Sequence, residues 1–498
     1  MTYSKENPYL CGLKRIAMSN KQLIGREFER QQLNEICHSG KAEFVAVYGR
    51  RRIGKTFLID SYFKQEYDFF MAGMYEATKR EQLTNFAHQL SQYSKIPHAV
   101  PPDWMEAFYQ LQQYLQTLSG KEQIIIFIDE LPWFDTPRTR FMKAFELFWN
   151  GWASKQDNLK LIVCGSSTSW MTNKLIGNRG GLHNRVTRQI RLQPFSLHEV
   201  ELFLQSKGFV LERKQIMEAY MVMGGTPYYL DMMRKSLSVA QNIDALFFSE
   251  NAPLKDEFDF LFKSLFNDSS LYKSIIETLA TKGKGLTRQE IIEISGINDN
   301  GYLSEALDNL QRCDFIRSYS AFGKKTREVL YQLTDLYSLF YLRFIKDYKG
   351  HDKQHWSHSL DLNATWEGYA FEQVCLHHIP QIKKKLGISG IQTGISSWSC
   401  KPYTDSDGTQ WPGGQIDLLI DRKDGIINLC EMKFSNEVYI ITKDYDKHLR
   451  ERMATFRHHS KTRKTLHLTM ATTFGIAHNM YWNNIQSEIV MDDLFENA

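Results

Sequence analysis

The sequence predicts an α/β fold on a parallel sheet, and three stretches carry that expectation. In the first, the apolar run Phe44-Val-Ala-Val-Tyr48 enters Gly49-Arg-Arg-Arg-Ile-Gly-Lys-Thr56. Phe57-Leu-Ile-Asp-Ser-Tyr-Phe63 follows with apolar residues at helical spacing. This is strand, glycine-rich loop and helix, with every fixed position of G-x-x-x-x-G-K-[ST] filled. In the second, Ile124-Ile-Ile-Phe-Ile-Asp-Glu130 sets a continuous apolar run before two carboxylates, the pattern of a strand buried on both faces. In the third, Leu159-Lys-Leu-Ile-Val-Cys164 ends in Gly165-Ser-Ser-Thr168. Open parallel sheets bind ligands beyond the C-terminal ends of their strands, where all three polar endings fall.

The whole chain bounds the answer. Its 498 residues suggest about three domains, and 42% apolar with 13% aromatic residues supplies several cores. A net charge of +4 excludes a polybasic, histone-like protein but leaves room for a local nucleic-acid patch. The seven cysteines are scattered and form no C-x-x-C pair, which argues for reduced thiols against a disulfide framework or a zinc site. Met1–Pro8 lacks the apolar segment of a signal peptide, and no apolar run reaches bilayer length. The expectation is a cytoplasmic protein with no membrane partner. Residues 1–20 read as a polar arm, and 64–120 as a strand and two packing helices.

Each part of the first stretch has a physical task. Gly49 and Gly54 let the loop turn tightly. Backbone N–H groups from Gly49 through Arg50, Arg51, Arg52, Ile53 and Gly54 into Lys55, Thr56 and Phe57 then face one hollow at a helix N-terminus. Such a hollow cradles phosphate oxygens. Lys55 reaches the β- and γ-phosphates, and the Thr56 hydroxyl is a ligand for Mg²⁺. Asp129 holds the same ion, directly or through water. Glu130 orients and deprotonates an attacking water, so the pair points to hydrolysis and not to binding alone. Ser166 or Ser167, at the tip of the next strand, can hydrogen-bond the γ-phosphate or that water; a helix N-cap is the alternative role. In the basic loop Asn178–Arg188, Arg179, Arg185 or Arg188 could act as an arginine finger, in cis or from another copy in a homo-oligomer, with Arg185 the chosen candidate. ATP and Mg²⁺ are the expected cofactors.

Residues 196–260 read as helical, with Gly224 and Gly225 ending one helix and Pro227 opening the next. Together LIGRE at 23–27, GRRRIGKT, IIIFIDE, CGSS and GGTPYYL resemble the archaeal-type P-loop ATPases, a group near the AAA+ and STAND regulatory ATPases. The resemblance covers about residues 20–260. It implies ATP hydrolysis coupled to conformational change, with Gly25 and Arg26 against the nucleotide base and Gly225-Thr-Pro227 in a lid over the nucleotide. Similar proteins continue through a winged helix into a nuclease-like domain. The expected division is an arm at 1–20, a P-loop ATPase core at 21–195, a helical lid at 196–265, a winged helix with connecting helix at 266–350, and a nuclease-like domain at 351–498.

In the winged-helix segment, Leu271–Ala280, Leu286–Ser295 and Tyr302–Arg312 read as helices, with Thr287 and Glu290 forming a capping box. Phe315–Tyr319 and Glu328–Leu333 read as a hairpin. Glu305 and Asp308 make the third helix a poor reader of DNA, whereas Lys324, Lys325 and Arg327 of the wing could touch a phosphate backbone. Aromatics at Tyr337, Phe340, Tyr341, Phe344 and Tyr348 read as core on a continuing helix.

The last segment carries a third constellation. A helix over Trp366–Val374 bears Glu372, a strand Gln415–Ile420 bears Asp417, and after a turn at Gly425 the strand Asn428–Phe434 bears Glu431 and Lys433 on one face. This order resembles the PD-(D/E)XK nuclease core, an α/β restriction-endonuclease-like fold, with Ile416 where that motif has proline. The resemblance implies a second divalent metal shared by Asp417 and Glu431, with Lys433 positioning water and steadying phosphate charge. DNA is then the expected partner. The alternative is a STAND-like switch whose C-terminal domain binds a protein partner without cleavage.

Overall fold

The computed structural model describes residues 23–177, 180–266, 268–323, 329–350, 352–359 and 364–497. The arm at 1–20, Arg179 of the basic loop, and Lys324, Lys325 and Arg327 of the wing lie outside the described residues. The chain divides into two units, Met1–Gln193 and Pro194–Ala498.

In the first unit the elements run α1 (Glu27–Cys37), β1 (Glu43–Tyr48), α2 (Lys55–Tyr62), β2 (Phe69–Ala72), α3 (Lys79–Ser94), α4 (Trp104–Gln116), β3 (Ile124–Asp129), α5 (Phe141–Gly151), β4 (Leu159–Gly165) and β5 (Arg188–Arg191). The strands form one parallel sheet in the order β2-β3-β4-β1-β5. The continuous apolar runs are buried throughout, and their side chains alternate between faces. Phe44, Ala46, Ile124, Ile126, Ile128, Leu161 and Val163 pack under α3, α4 and α5. Val45, Val47, Ile125, Phe127, Ile162 and Cys164 pack under α1 and α2, against Leu33, Ile36, Leu58 and Ile59. Helices therefore cover both faces of the sheet. Local capping agrees with this placement: Thr78 and Glu81 form a capping box at α3, and Asp103 accepts from the Glu106 amide at α4. The topology has one consequence for the site. β4 lies between β1 and β3, so the loop after β1 arches beside the tip of β4 toward the carboxylates after β3.

The second unit opens with helices between Leu197 and Leu265, including Leu197–Ser206, Arg213–Met223 and Pro227–Leu230. Helices Ser269–Ala280, Arg288–Ser295 and Gly301–Arg312 then accompany a small antiparallel sheet of β6 (Leu286–Thr287), β7 (Ile316–Ser320) and β8 (Val329–Leu333), in the order β6-β8-β7. Leu286 and Thr287 thus leave the helix expected of them. Their backbone pairs with Tyr331 and Leu330, and the Thr287–Glu290 capping box starts the helix at Arg288. The aromatic stretch stays helical through Ile345, changing from α over Leu336–Phe340 to π over Tyr341–Ile345.

The helix Ala364–His377 leads into β9 (Thr393–Cys400), a hairpin of β10 (Tyr403–Thr404) and β11 (Gln410–Trp411), then β12 (Gly414–Arg422), β13 (Ile426–Lys433), helix Lys443–Ser460, β14 (Thr465–Thr472) and β15 (Ser487–Val490). The order is β15-β14-β13-β12-β9, antiparallel around β12 and parallel from β13 to β15. The segments delimited at 196–265, 266–350 and 351–498 all fall within this unit, and one apolar core runs through them, from Phe195 through Phe262, Phe315, Tyr337 and Trp366 to Phe495. Beyond β7, Ala321 bridges Ser397 of β9, and the Phe322 amide donates to the Ser397 carbonyl at 2.8 Å.

Candidate functional sites

The phosphate loop is shaped by its glycines. Gly49 sits at φ +146°, where a Cβ would meet the Leu192 carbonyl oxygen at 2.3 Å. Gly54, at φ +88°, caps the N-terminus of α2. Between them Arg52 takes φ 73°, and Arg50 is buried. Lys55 folds under the loop: its Nζ donates to the carbonyls of Gly49 at 3.0 Å and Arg50 at 2.9 Å. Arg51 is half-buried, Ile53 is buried in the core beneath α2, and Phe57 is half-buried on the first turn of that helix. Gly25 and Arg26 form a left-handed corner before α1, and the Arg26 guanidinium donates to the Ile53 carbonyl at 3.2 Å. The corner therefore braces the loop's backbone, a contact that the sequence does not reveal.

The structure brings the loop and both carboxylates together. The Thr56 hydroxyl donates to Asp129 Oδ2 at 2.8 Å. Burial, reinforced by the neighbouring Glu130 charge, pushes Asp129 up to about 6. Two hard oxygen donors, one of them ionisable and desolvated, fit the chemistry of Mg²⁺. Glu130 takes φ 46°, a left-handed turn that swings it off the strand. Its Oε2 accepts from both the amide (3.0 Å) and the hydroxyl (2.8 Å) of Ser166. Ser166 therefore holds the carboxylate, and Ser167 is the residue at the helix-start position, with no side-chain cap bond. Arg185 lies exposed in the turn before β5. Pro227 opens a short helix of the second unit, beside Gly225, whose Cβ would strike the Phe195 carbonyl at 1.8 Å.

The C-terminal residues also converge. Asp417 and Glu431 stand one position beyond the paired Leu418 and Cys430 on β12 and β13. The register between β12 and β9 slips between Ile416 and Leu419, placing Asp417 in a β-bulge, a device that re-aims side chains. The Gln415 amide donates to Asp417, and burial pushes the Asp417 carboxyl above its ordinary range. Lys433 Nζ lies 3.0 Å from Glu431. Burial alone would raise Glu431, but the charges of Arg452 and Lys433 and the Tyr445 hydroxyl outweigh it and hold this carboxyl low. Arg452 and Tyr445, both on helix Lys443–Ser460, bond Glu431 directly, Tyr445 at 2.6 Å. Their spacing of two helical turns puts them on one face, a signal readable only once that helix is known to cover β13. Glu372 is pushed up to about 8, by burial and then by Asp417. Among the described residues no group of three or more His, Cys, Asp or Glu is gathered for a metal ion. For a divalent cation here, Asp417 offers a carboxylate, whereas both oxygens of Glu431 already bond cations or a hydroxyl.

The parallel sheet, the Gly49–Thr56 loop and the carboxylates beyond β3 have the arrangement of a P-loop nucleotide-binding fold. Residues 23–233 match the model of a family described as an ATPase domain predominantly from Archaea. An uncharacterized protein of Methanocaldococcus jannaschii is 28% identical over 325 residues, covering 65% of this chain and 68% of that protein. Among solved structures, the Walker-type ATPase PABY2304 of Pyrococcus abyssi is 18% identical with a TM-score of 0.46, covering 65% of this chain and 96% of that one. The ORC2 protein of Aeropyrum pernix, solved in ADPNP–ADP complexes, is 15% identical with a TM-score of 0.43, covering 66% and 96%. No helix among the described residues is long and apolar enough to cross a membrane.

Proposed function

We propose that the chain is a Mg²⁺-dependent ATPase whose nucleotide state is coupled to a nuclease-like, DNA-facing module in its second unit. The observation that carries the ATPase reading is the joined set Thr56–Asp129 and Glu130–Ser166 at the loop's mouth. In this reading the loop amides and Lys55 bind the β- and γ-phosphates, Lys55 exchanging the Gly49 and Arg50 carbonyls for phosphate oxygens. Thr56 and Asp129 would hold Mg²⁺, which supplies charge neutralisation at those phosphates. Ser166 fixes Glu130 through Oε2, leaving Oε1 to accept the proton of an attacking water. Gly25 and Arg26 border the base, Gly225-Thr-Pro227 belongs to the lid, and Arg185 is the arginine finger. Among the described residues six cysteines are free, which suits a reducing compartment, and the reading places the chain in the cytoplasm.

The 266–350 segment reads as a winged helix and 351–498 as a PD-(D/E)XK-like domain, in which Asp417 and Glu431 would hold a divalent metal and Lys433 would steady a phosphodiester. One observation favours a second reading, a STAND-like switch whose last domain binds a protein partner without cutting. Glu431 is neutralised by Arg452 and Lys433, so a cation there competes with an ion pair already made. The test is direct. Lys55→Ala should abolish ATP binding, and Glu130→Gln should bind ATP without turnover; unchanged hydrolysis in either sinks the ATPase assignment. DNA cleavage with Mn²⁺, lost in Asp417→Ala, separates nuclease from switch.

A further inference from the structure

Beside Asp417 lies a cleft of about 600 Å³ whose walls come from two parts of the second unit. Lys401, Gln415, His448 and Arg452 belong to the C-terminal segment; Lys282 and Lys284 belong to the turn between helix Ser269–Ala280 and β6. The turn is fixed in place. Gln332 Nε2 donates to the Gly283 carbonyl at 2.6 Å, and the Tyr319 hydroxyl donates to that of Lys284. Gly285 takes φ +83° with its Cβ position 2.5 Å from the Tyr331 carbonyl oxygen, so other residues are excluded there. Gly283 packs on the Tyr369 ring, one helical turn before Glu372, where a Cβ would come within 2.8 Å of Cε2.

The cleft is strongly cationic. Lys282, Lys284, Lys401 and Arg452 line it against a single carboxylate, Glu451. Arg452 is committed to Glu431, and Lys282 to Glu290 at 2.7 Å. Lys284 and Lys401 make no ion pair with a described residue. The Lys284 charge reaches both Asp417 and Glu372, across the boundary between the two segments. Ammonium groups that make no ion pair, one of them on the braced turn, suit a chain of phosphates.

We infer that Lys284 and Lys401 grip the phosphates of a DNA strand in this cleft, so that a turn outside the nuclease-like segment completes its substrate site. The inference rests on the DNA-facing reading of that module and narrows it to a path and two residues. The experiment uses the full chain, fluorescent single-stranded and duplex oligonucleotides, EDTA, and a salt titration. Lys284→Ala and Lys401→Ala should each weaken binding roughly 3–10-fold and lower the slope of log affinity against log salt by about 1. Lys284→Glu should lower both further. Lys353→Ala, outside the cleft, should change neither. Lys284 and Lys401 are exposed, so these variants should keep the fold. An unchanged slope in both Lys284 variants, or no DNA binding by the parent chain, overturns the inference. Cleavage with Mn²⁺ is scored separately on the same oligonucleotides. Lys284-dependent binding without cleavage removes the nuclease reading and keeps the grip; cleavage with Lys284-independent binding does the reverse.

Discussion

Ser166 donates two hydrogen bonds to one oxygen of Glu130, through its amide at 3.0 Å and its hydroxyl at 2.8 Å. A residue at the tip of β4 thereby fixes the side chain that follows β3. Ser166→Ala keeps the amide bond and removes the hydroxyl. A hydrogen bond to a charged group contributes about 1.5–3 kcal/mol, so kcat should fall roughly 10–100-fold while ATP affinity holds. Steady-state ATPase kinetics beside nucleotide titration measure both. A loss of affinity with unchanged kcat would remove the positioning role.

The two loop glycines should respond differently to alanine. At Gly49 a Cβ collides with backbone, the Leu192 oxygen at 2.3 Å, and cannot be accommodated by a side-chain shift. At Gly54 the φ of +88° is unfavourable, yet nothing lies within 4 Å of the added atom. Gly54→Ala should cost about 1–2 kcal/mol, and Gly49→Ala more than that, with loss of ATP binding. Urea unfolding of the two variants, run side by side, checks the order.

His378 ties two parts of the second unit. Its Nε2 accepts from the Leu197 amide at 3.0 Å, and its Nδ1–H donates to the Val374 carbonyl at 2.8 Å. Burial depresses its pKa from 6.5 to about 4. The unfolded chain therefore binds this proton more tightly, and stability falls as pH falls. The contribution is complete above about pH 6.5 and is lost progressively down to about pH 4, by about 3 kcal/mol. His378→Gln should flatten the stability–pH curve in that window. An unchanged slope would show that the imidazole is already charged in the fold.

Arg452 and a divalent cation compete for Glu431. Removing the guanidinium in Arg452→Ala should tighten Mn²⁺ binding roughly tenfold, the equivalent of about 1.4 kcal/mol. Calorimetric titration reads this without any nuclease assay. Equal Mn²⁺ affinity in parent and variant would separate Glu431 from metal binding and favour the switch.

The phosphate loop and its carboxylates were legible because their chemistry is local. Gly49–Thr56 is one uninterrupted spacing, and Asp129 and Glu130 end a run whose burial is written in its composition. The contacts that tune them were not. Arg26 reaches Ile53 across 27 residues, and Arg452 reaches Glu431 across 21, from a helix packed on the sheet only after folding. Leu286–Thr287 misled for a related reason. A capping box marks where a helix begins, but the preceding residues pair with β8, more than forty positions later.

The bridge from Ala321 to Ser397 bears on how the second unit can be divided. β9 is the outer strand of its sheet, and Phe322 joins the apolar cluster of Trp398 and Phe456 beside it. A fragment starting at residue 351 would bare this strand edge and strip Phe315, Tyr337 and Phe340 from the core they share with Trp366. Uncovered edges of this kind template intermolecular pairing. A piece that begins near Pro194 keeps both this edge covered and that core whole, whereas one beginning at residue 351 should be recovered as aggregate.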